Sequence, residues 1–458
     1  MPSTGSSSVS GGVRMRRPGT FAVIAAGAAV VVLLGAAVGT GRGSQPGASF
    51  RPAGRDVLVP ANPLQGAASL GETIDRLQAR LQAFPHDCLA TASLGLAYVA
   101  QARLTADPGY YPKAQGVLNR TLALRCPDNA AGYTGLGALA LARHDFGGAL
   151  AWGERARAVD PFNAGVYGVI GDAEVELGRY PQAFATLQRM IDLRPDLASY
   201  ARVSYARELQ GDVSGAIAVM RRALGAAGDP SDQAFAAYQL GELFFNSGRP
   251  QRAGHWYGRA TQLAPMYFPP RAGLAKVAWA TGHPLVAISR YRVIVQRYPL
   301  PEYAIALGDL EAGGGDHESA GREYALVRAE ERLFRAAGVN VDLELALFDA
   351  DHGDPRRAVR EARIEWSRRH GILVADAMAW ALFKAGRPGR ALVFARSALR
   401  LGSRNALIFF HAGMIELALQ HTAVGLADLQ RALRINPHFS IRYSSRAART
   451  LARLEAAG

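Results

Sequence analysis

The sequence predicts an all-α protein built from tandem pairs of helices. Three observations support this fold class. The chain resembles itself when it is shifted by about 34 residues, a small residue recurs at fixed places in each copy, and a proline ends most copies. The composition agrees, because alanine, leucine and arginine are abundant in the 458 residues and favour helices.

Most copies share a large residue followed by a small one, an alanine or glycine twelve residues after the small residue, and a closing proline. The clearest copies contain Leu136-Gly137 with Ala149 and Pro161, Ile170-Gly171 with Ala183 and Pro195, Leu240-Gly241 with Ala253 and Pro265, Leu274-Ala275 with Ala287 and Pro299, and Ala412-Gly413 with Gly425 and Pro437. Weaker copies contain Val203-Ser204 with Ala216, Leu307-Gly308 with Ala320, Leu345-Ala346 with Ala358, and Met378-Ala379 with Ala391.

This pattern resembles the tetratricopeptide repeat, whose period is about 34 residues and whose small residues lie where two helices meet. The resemblance covers residues 88–438 and implies an α-solenoid of about ten helix–turn–helix units that coil into a right-handed superhelix. Glycines between the paired helices are predicted to be C-caps with positive φ. They are Gly178, Gly211, Gly248, Gly282 and Gly386.

The two ends of the array are predicted to be capped, because a solenoid otherwise exposes the apolar face of its last unit. Residues 71–87 form the N-terminal capping helix, and residues 439–458 form a C-terminal capping helix that is rich in arginine. The basic C-terminal helix has a second interpretation, contact with an acidic membrane surface. Seven extra residues within 102–112 lengthen the first repeat, either as a longer hairpin or as a binding loop.

The N-terminal region differs from the repeats. Residues 1–19 are rich in Ser and Gly and are predicted to be disordered, whereas residues 20–40 carry no charge and are long enough to cross a membrane. We expect a transmembrane anchor, with a cleaved secretory signal as the alternative. Residues 41–70 are predicted to be a flexible linker, and Arg14, Arg16 and Arg17 favour a repeat array outside the cytoplasm.

The charge and the motifs argue against most chemical functions. The formal charge is +14, but the arginines are scattered, so a nucleic-acid partner is not expected. No catalytic, phosphate-binding or metal-binding motif is present, which predicts a protein that is not an enzyme and has no cofactor. Cys88 and Cys126 lie at neighbouring ends of the first helix pair, which favours a disulfide over two free thiols.

The resemblance also implies a partner-binding groove along the concave wall, which the first helix of each unit forms. Transferring the groove-facing repeat positions predicts an aromatic and acidic surface. It consists of Tyr205, Glu208, Phe235, Tyr238, Glu242, Phe245, Asn246, Lys276, Trp279, Asp309, Trp380 and Phe383. Any of the aromatic side chains can instead pack between neighbouring helices.

These observations predict a membrane-anchored scaffold that binds a protein or peptide partner in the groove and catalyses no reaction. The alternatives are an accessory or regulatory subunit of an enzyme, and a glycan-binding module of the cell surface. The sequence does not identify the partner.

Overall fold

The computed structural model describes residues 67–126, 128–298 and 300–456. This part of the chain contains 22 α-helices and no strand, so the predicted all-helical repeat fold is confirmed. Helix α1 (Ala67–Ala83) packs against the first of ten antiparallel helix pairs, and α22 (Ser444–Glu455) packs against the last.

Each pair consists of a first helix and a second helix. The first helices are α2 (Cys88–Thr105), α4 (Ala130–Ala142), α6 (Ala164–Leu177), α8 (Leu197–Leu209), α10 (Pro230–Asn246), α12 (Pro269–Ala280), α14 (Pro301–Gly313), α16 (Asp342–His352), α18 (Ile372–Lys384) and α20 (Ala406–Ala418). The second helices are α3 (Tyr110–Ala123), α5 (Phe146–Val159), α7 (Tyr180–Leu193), α9 (Val213–Gly225), α11 (Pro250–Leu263), α13 (Pro284–Arg297), α15 (His317–Ala336), α17 (Pro355–Arg368), α19 (Pro388–Ala398) and α21 (Thr422–Ile435).

The extra residues of the first repeat lie partly in a helix and partly in the turn that follows. Helix α2 has 18 residues and ends where Ala106 adopts the left-handed conformation, with φ 51°. The Asp107 side chain accepts a hydrogen bond from the Gly109 amide at 2.8 Å and so closes the turn before α3. The insertion therefore forms a longer hairpin with a local cap.

Small residues allow the two helices of a pair to approach closely. A Cβ added to Gly241 would lie 2.4 Å from the Tyr257 ring, which belongs to the second helix of the same repeat. Tyr257 has no exposed surface and donates a hydrogen bond from its hydroxyl to Glu242 at 2.7 Å. The large ring thus fills the space that the missing side chain leaves, as the repeat pattern predicts.

The repeat array coils so far that its later repeats contact its earlier repeats. We call residues 88–297 the first coil and residues 298–438 the second coil. Five contacts between them that involve a side chain join residues that are 191 to 196 positions apart. Because each repeat has about 34 residues, one full turn takes between five and six repeats. The second coil therefore follows the first coil repeat by repeat.

We call this boundary the seam. At the seam, the turn between the two helices of a first-coil repeat contacts the turn between two successive repeats of the second coil. The Nδ1 atom of His144 lies 2.7 Å from the Asn340 carbonyl oxygen, and the Asn436 side-chain amide donates to the Phe245 carbonyl at 3.0 Å. The Tyr298 hydroxyl donates to the Arg103 carbonyl at 2.8 Å. Backbone groups that would otherwise need water are thus paired across the seam.

A buried ion pair lies near the middle of the seam. The Arg369 guanidinium contacts the carboxylates of Glu176, in the first coil, and Glu365, in its own helix pair. Arg369 is only 4% exposed. Next to it, the Ile372 amide donates to the Tyr180 hydroxyl at 2.8 Å. Removing one member of such a pair leaves an uncompensated buried charge, which costs about 3–5 kcal/mol.

The seam also explains why glycine occupies two of the predicted helix caps. Gly178 and Gly211 have φ values of 77° and 79°, as expected for left-handed caps. A Cβ at Gly178 would lie 2.6 Å from the His370 carbonyl oxygen, and one at Gly211 would lie 2.4 Å from the Gly402 carbonyl oxygen. These two positions therefore lack room for a side chain, in addition to needing positive φ.

In the described part of the chain, no helix has the length and apolar character needed to cross a membrane. The predicted anchor at residues 20–40 lies outside the described residues, as do the predicted linker up to residue 66 and the N-terminal residues 1–19.

Replacing Gly241 with Val should destabilise the protein by about 1–3 kcal/mol, because the new side chain would overlap the Tyr257 ring. Urea unfolding followed by circular dichroism measures this change. Gly258→Ala is the matched control, since no atom lies within 4 Å of its added Cβ and alanine favours the helix interior. Equal destabilisation by the two substitutions would contradict the packing argument.

Replacing Gly178 with Ala should separate the coils. Placing alanine at a positive φ costs about 1–2 kcal/mol. The control Gly282→Ala has the same cost, because its φ is 85°, but its added Cβ meets no atom within 4 Å. Only Gly178→Ala adds the overlap with His370. Small-angle X-ray scattering should show a larger radius of gyration for Gly178→Ala alone, and an equal change in both variants would argue against the seam.

Candidate partner-binding cavity between the coils

Four of the predicted groove residues line one cavity between the coils. The cavity has a volume of about 300 Å³, and the first coil contributes Tyr205, Glu208, Glu242 and Asn246 to its wall. The second coil forms the opposite wall. The predicted concave surface is therefore covered at this place by a later part of the same chain.

The positions of these side chains follow from how α8 begins. The Asp196 side chain accepts a hydrogen bond from the Ser199 amide at 3.0 Å, and the Ser199 hydroxyl accepts one from the Asp196 amide at 2.9 Å. This capping box fixes the start of α8. Tyr205 and Glu208 are three residues apart and thus lie on the same face of α8, which borders the cavity.

Glu208 has no cationic partner in the described residues. The Asn246 side-chain amide donates to its Oε1 at 3.3 Å. Burial raises the pKa of the Glu208 carboxyl to about 7; the Asn246 hydrogen bond opposes this change and the nearby Glu242 charge adds to it. At neutral pH this carboxyl is therefore close to half protonated and able to donate or to accept a hydrogen bond.

Glu242, by contrast, is fully paired. The Lys276 ammonium donates to both of its carboxylate oxygens at 2.8 Å, and the Tyr257 hydroxyl donates to Oε1. The Lys276 nitrogen also lies 4.9 Å from the centre of the Phe245 ring. Two of the predicted groove residues, Glu242 and Lys276, thus neutralise each other.

The second coil adds residues that the repeat pattern alone did not reveal. Ile372, Asp376 and Asn405 line the same cavity, together with Phe439, which directly follows the second coil. They were missed because they lie far along the chain from the first-coil residues that they face, and no feature of the repeat period indicates where the coil closes. Exposed arginines lie at the edge of the cavity; they are Arg404 and Arg434.

Three predicted groove residues pack inside the wall; one of them is Phe245, which is 6% exposed and lies in the same buried cluster as Phe235. Trp380 has no exposed surface, donates from Nε1 to Asp351 at 2.8 Å, and stacks on His411 with ring centres 4.0 Å apart. Phe235 is 4% exposed and belongs to a cluster of buried apolar residues around Tyr257. These side chains stabilise the contacts between helices, the alternative that the sequence left open for every aromatic residue.

The remaining predicted residues lie outside this cavity. Tyr238 is half-buried against Tyr267, with ring centres 5.6 Å apart, and Trp279 meets His438 of the second coil edge-on at 5.9 Å. Asp309 accepts a hydrogen bond from the Tyr324 hydroxyl at 2.9 Å and lines a second cavity. Phe383 lines a third hollow beside α22. The predicted groove residues therefore do not form one continuous surface but lie in several separate places in the structure.

Cys88 and Cys126 form a disulfide bond that closes the first repeat. Their Cα atoms are 5.9 Å apart, because α2 begins where α3 and its short extension end. The described residues contain no group of three or more His, Cys, Asp or Glu side chains arranged to hold a metal ion.

Comparison with known families agrees with this architecture. The family model of the tetratricopeptide repeat matches residues 99–164, 169–233 and 210–266. The matched part of the chain carries tetratricopeptide repeats. The matched segments lie within the first coil. Among the curated proteins, none matches the chain significantly.

Several solved structures resemble this chain in fold. One is TTC0263, a thermophilic TPR protein in Thermus thermophilus, with 22% identity, a TM-score of 0.36, and coverage of 41% of this chain and 99% of that chain. Another is a tetratricopeptide repeat protein from Parabacteroides merdae ATCC 43184, with 16% identity, a TM-score of 0.34, and coverage of 57% and 98%.

A third similar structure is the human IFIT1 dimer with m7Gppp-AAAA. Its identity to this chain is 13% and its TM-score is 0.45, over 80% of this chain and 86% of that chain. All three similarities concern the fold alone.

Replacing both Cys88 and Cys126 with Ser should destabilise the first repeat. The disulfide closes a loop with a sequence separation of 38, and the chain-entropy model gives a stabilisation of about 4 kcal/mol for such a loop. Hydrogen exchange measured by mass spectrometry should show faster exchange in α2 and α3 and little change in α18. Unchanged exchange in α2 would contradict the expected role of the bond.

The raised pKa of Glu208 predicts a pH-dependent stability. The pKa in the folded state, about 7, is higher than the ordinary value of 4.5, so the folded state binds the proton more tightly. This contribution to stability is present below pH 4.5 and is lost as the pH rises through 7. Glu208→Gln should therefore resemble the wild type at pH 4.5 and exceed its stability at pH 8 by about 1–3 kcal/mol.

Urea unfolding at the two pH values measures this difference. Glu318→Gln is the control, because the side chain of Glu318 is 89% exposed. It should leave the pH dependence of the wild type unchanged. If Glu208→Gln also leaves it unchanged, the carboxyl is not buried as the structure indicates.

Proposed function

We propose that this protein is a non-enzymatic scaffold that binds a peptide segment of a protein partner between its two coils. The proposal depends mainly on one observation: Tyr205, Glu208 and Asn246 line a single cavity together with residues of the second coil. Tetratricopeptide repeat proteins generally mediate protein–protein interactions, which supports the same function class.

The dimensions of the cavity favour a segment over a folded domain. A volume of about 300 Å³ accommodates one or two side chains. The wall offers groups that suit a peptide backbone, because Asn246 and Asn405 each carry an amide that donates and accepts hydrogen bonds. Apolar contacts come from Leu343, Leu347 and Phe439. Such a surface matches a short segment with one apolar anchor side chain.

A site-specific photocrosslinker tests this function. Benzoylphenylalanine at position 205 should crosslink to a partner peptide in native membranes, and mass spectrometry should locate the crosslink in one segment of that partner. The same group at position 285 is the control, because Leu285 is 79% exposed and lies in α13. Identical crosslinks from both positions, or none from position 205, would argue against binding between the coils.

We also propose that the repeat array is anchored to a membrane and lies outside the cytoplasm. Two observations support this location: the uncharged segment at residues 20–40 and the disulfide between Cys88 and Cys126, a bond that is rare in the cytoplasm. Protease treatment of intact cells should degrade the array. Protection of the array until the membrane is permeabilised would place it in the cytoplasm.

A further inference from the structure

A second cavity between the coils differs in character from the first. It has a volume of about 220 Å³, and residues of both coils and of the segment before α22 line it. Most of its wall is apolar. Six of these residues are Ile305, Val327, Phe334, Val341, Leu345 and Phe348. The two cavities share only Leu347 and Leu407, so the second is a separate compartment.

Four carboxylates also line the second cavity, and three of them are bound to partners. Asp309 accepts a hydrogen bond from Tyr324, and Asp351 accepts one from Trp380. Glu331 contacts three arginines, which are Arg328, Arg335 and Arg357. Hydrogen bonds and opposite charges within the protein therefore satisfy these three groups.

Glu344, the fourth carboxylate, is different. Its Oε2 atom is buried and has no hydrogen-bond partner among the described residues. Burial raises the pKa of its carboxyl, an effect that the charges of His144 and Arg369 oppose. An unpaired buried carboxylate oxygen is costly, so native proteins seldom keep one without a function or a bound molecule.

His411 provides a second unpaired atom at the same cavity. Its Nδ1 lies 3.0 Å from both carboxylate oxygens of Asp376, which does not line this cavity. A carboxylate accepts hydrogen bonds, so Nδ1 carries a proton, and in this singly protonated tautomer Nε2 is an acceptor. Nε2 is buried and has no partner in the described residues.

Both unpaired atoms are acceptors, and the rest of the wall is mainly apolar. We propose that the second cavity binds a small molecule with an apolar body and a primary amino group, whose ammonium donates hydrogen bonds to Glu344. An apolar cavity of about 150 Å³ is known to hold benzene, so 220 Å³ suits a phenyl ring with a short chain. This inference does not depend on the proposed peptide site.

Isothermal titration calorimetry of the full chain with 2-phenylethylamine tests the proposal. Binding to the wild type is expected. Glu344→Gln should weaken it about tenfold to a hundredfold, because a hydrogen bond to a charged group is replaced by one to a neutral amide. Glu318→Gln, at an exposed position, is the matched control and should bind like the wild type.

Two further measurements test separately whether the amino group is recognised and whether the ligand lies in this cavity. Propylbenzene has the same shape without the amino group; if it binds as tightly as the amine, the assignment of an amine is overturned. Ile305→Trp should fill the cavity and abolish binding of the amine. Because Ile305 is only half-buried, the larger ring is accommodated. A thermal unfolding transition shows that this variant is folded. Absence of amine binding to the wild type would overturn the site itself.

Discussion

The seam between the coils determines most of what is distinctive in this molecule. A tetratricopeptide array needs only contacts between neighbouring repeats, and such an array leaves its concave wall open. Here Arg369 is buried between Glu176 and Glu365, and backbone groups of turns about six repeats apart bond to one another. A buried ion pair contributes little net stability, but it strongly disfavours arrangements in which one partner is left alone. The seam therefore selects one pitch of the coil.

Closing the coil changes how the array can recognise a partner. The concave residues of the middle repeats, including Tyr205 and Glu208, now border cavities of a few hundred Å³. A folded domain does not fit such a space, whereas a side chain or an extended segment does. In the proposed binding mode both walls of the cavity are preformed, so little ordering is needed on binding.

Burial within the coiled array also changes the protonation of some carboxyl groups. The chain has a formal charge of +14, yet several of its buried carboxyls have raised pKa values. Burial raises the pKa of Glu302 to about 8 and that of Glu330 to about 9, and the nearby Glu302 charge adds to the effect on Glu330. At neutral pH these side chains are largely protonated. The surroundings of these two buried side chains are therefore less negative than the composition indicates.

The sequence by itself determined the repeat, because period, small residues and caps all act within one repeat and its neighbour. The pairing of Gly241 with Tyr257 and the positive φ of Gly178 both follow from this local pattern. Only the tertiary structure decided which concave residues meet a cavity and which, like Trp380, pack inside the wall. The physical reason is that the pitch of the coil is a sum of small rotations between successive repeats. Contacts between distant repeats, such as that of His144 with Asn340, depend on that sum and leave no periodic trace in the sequence.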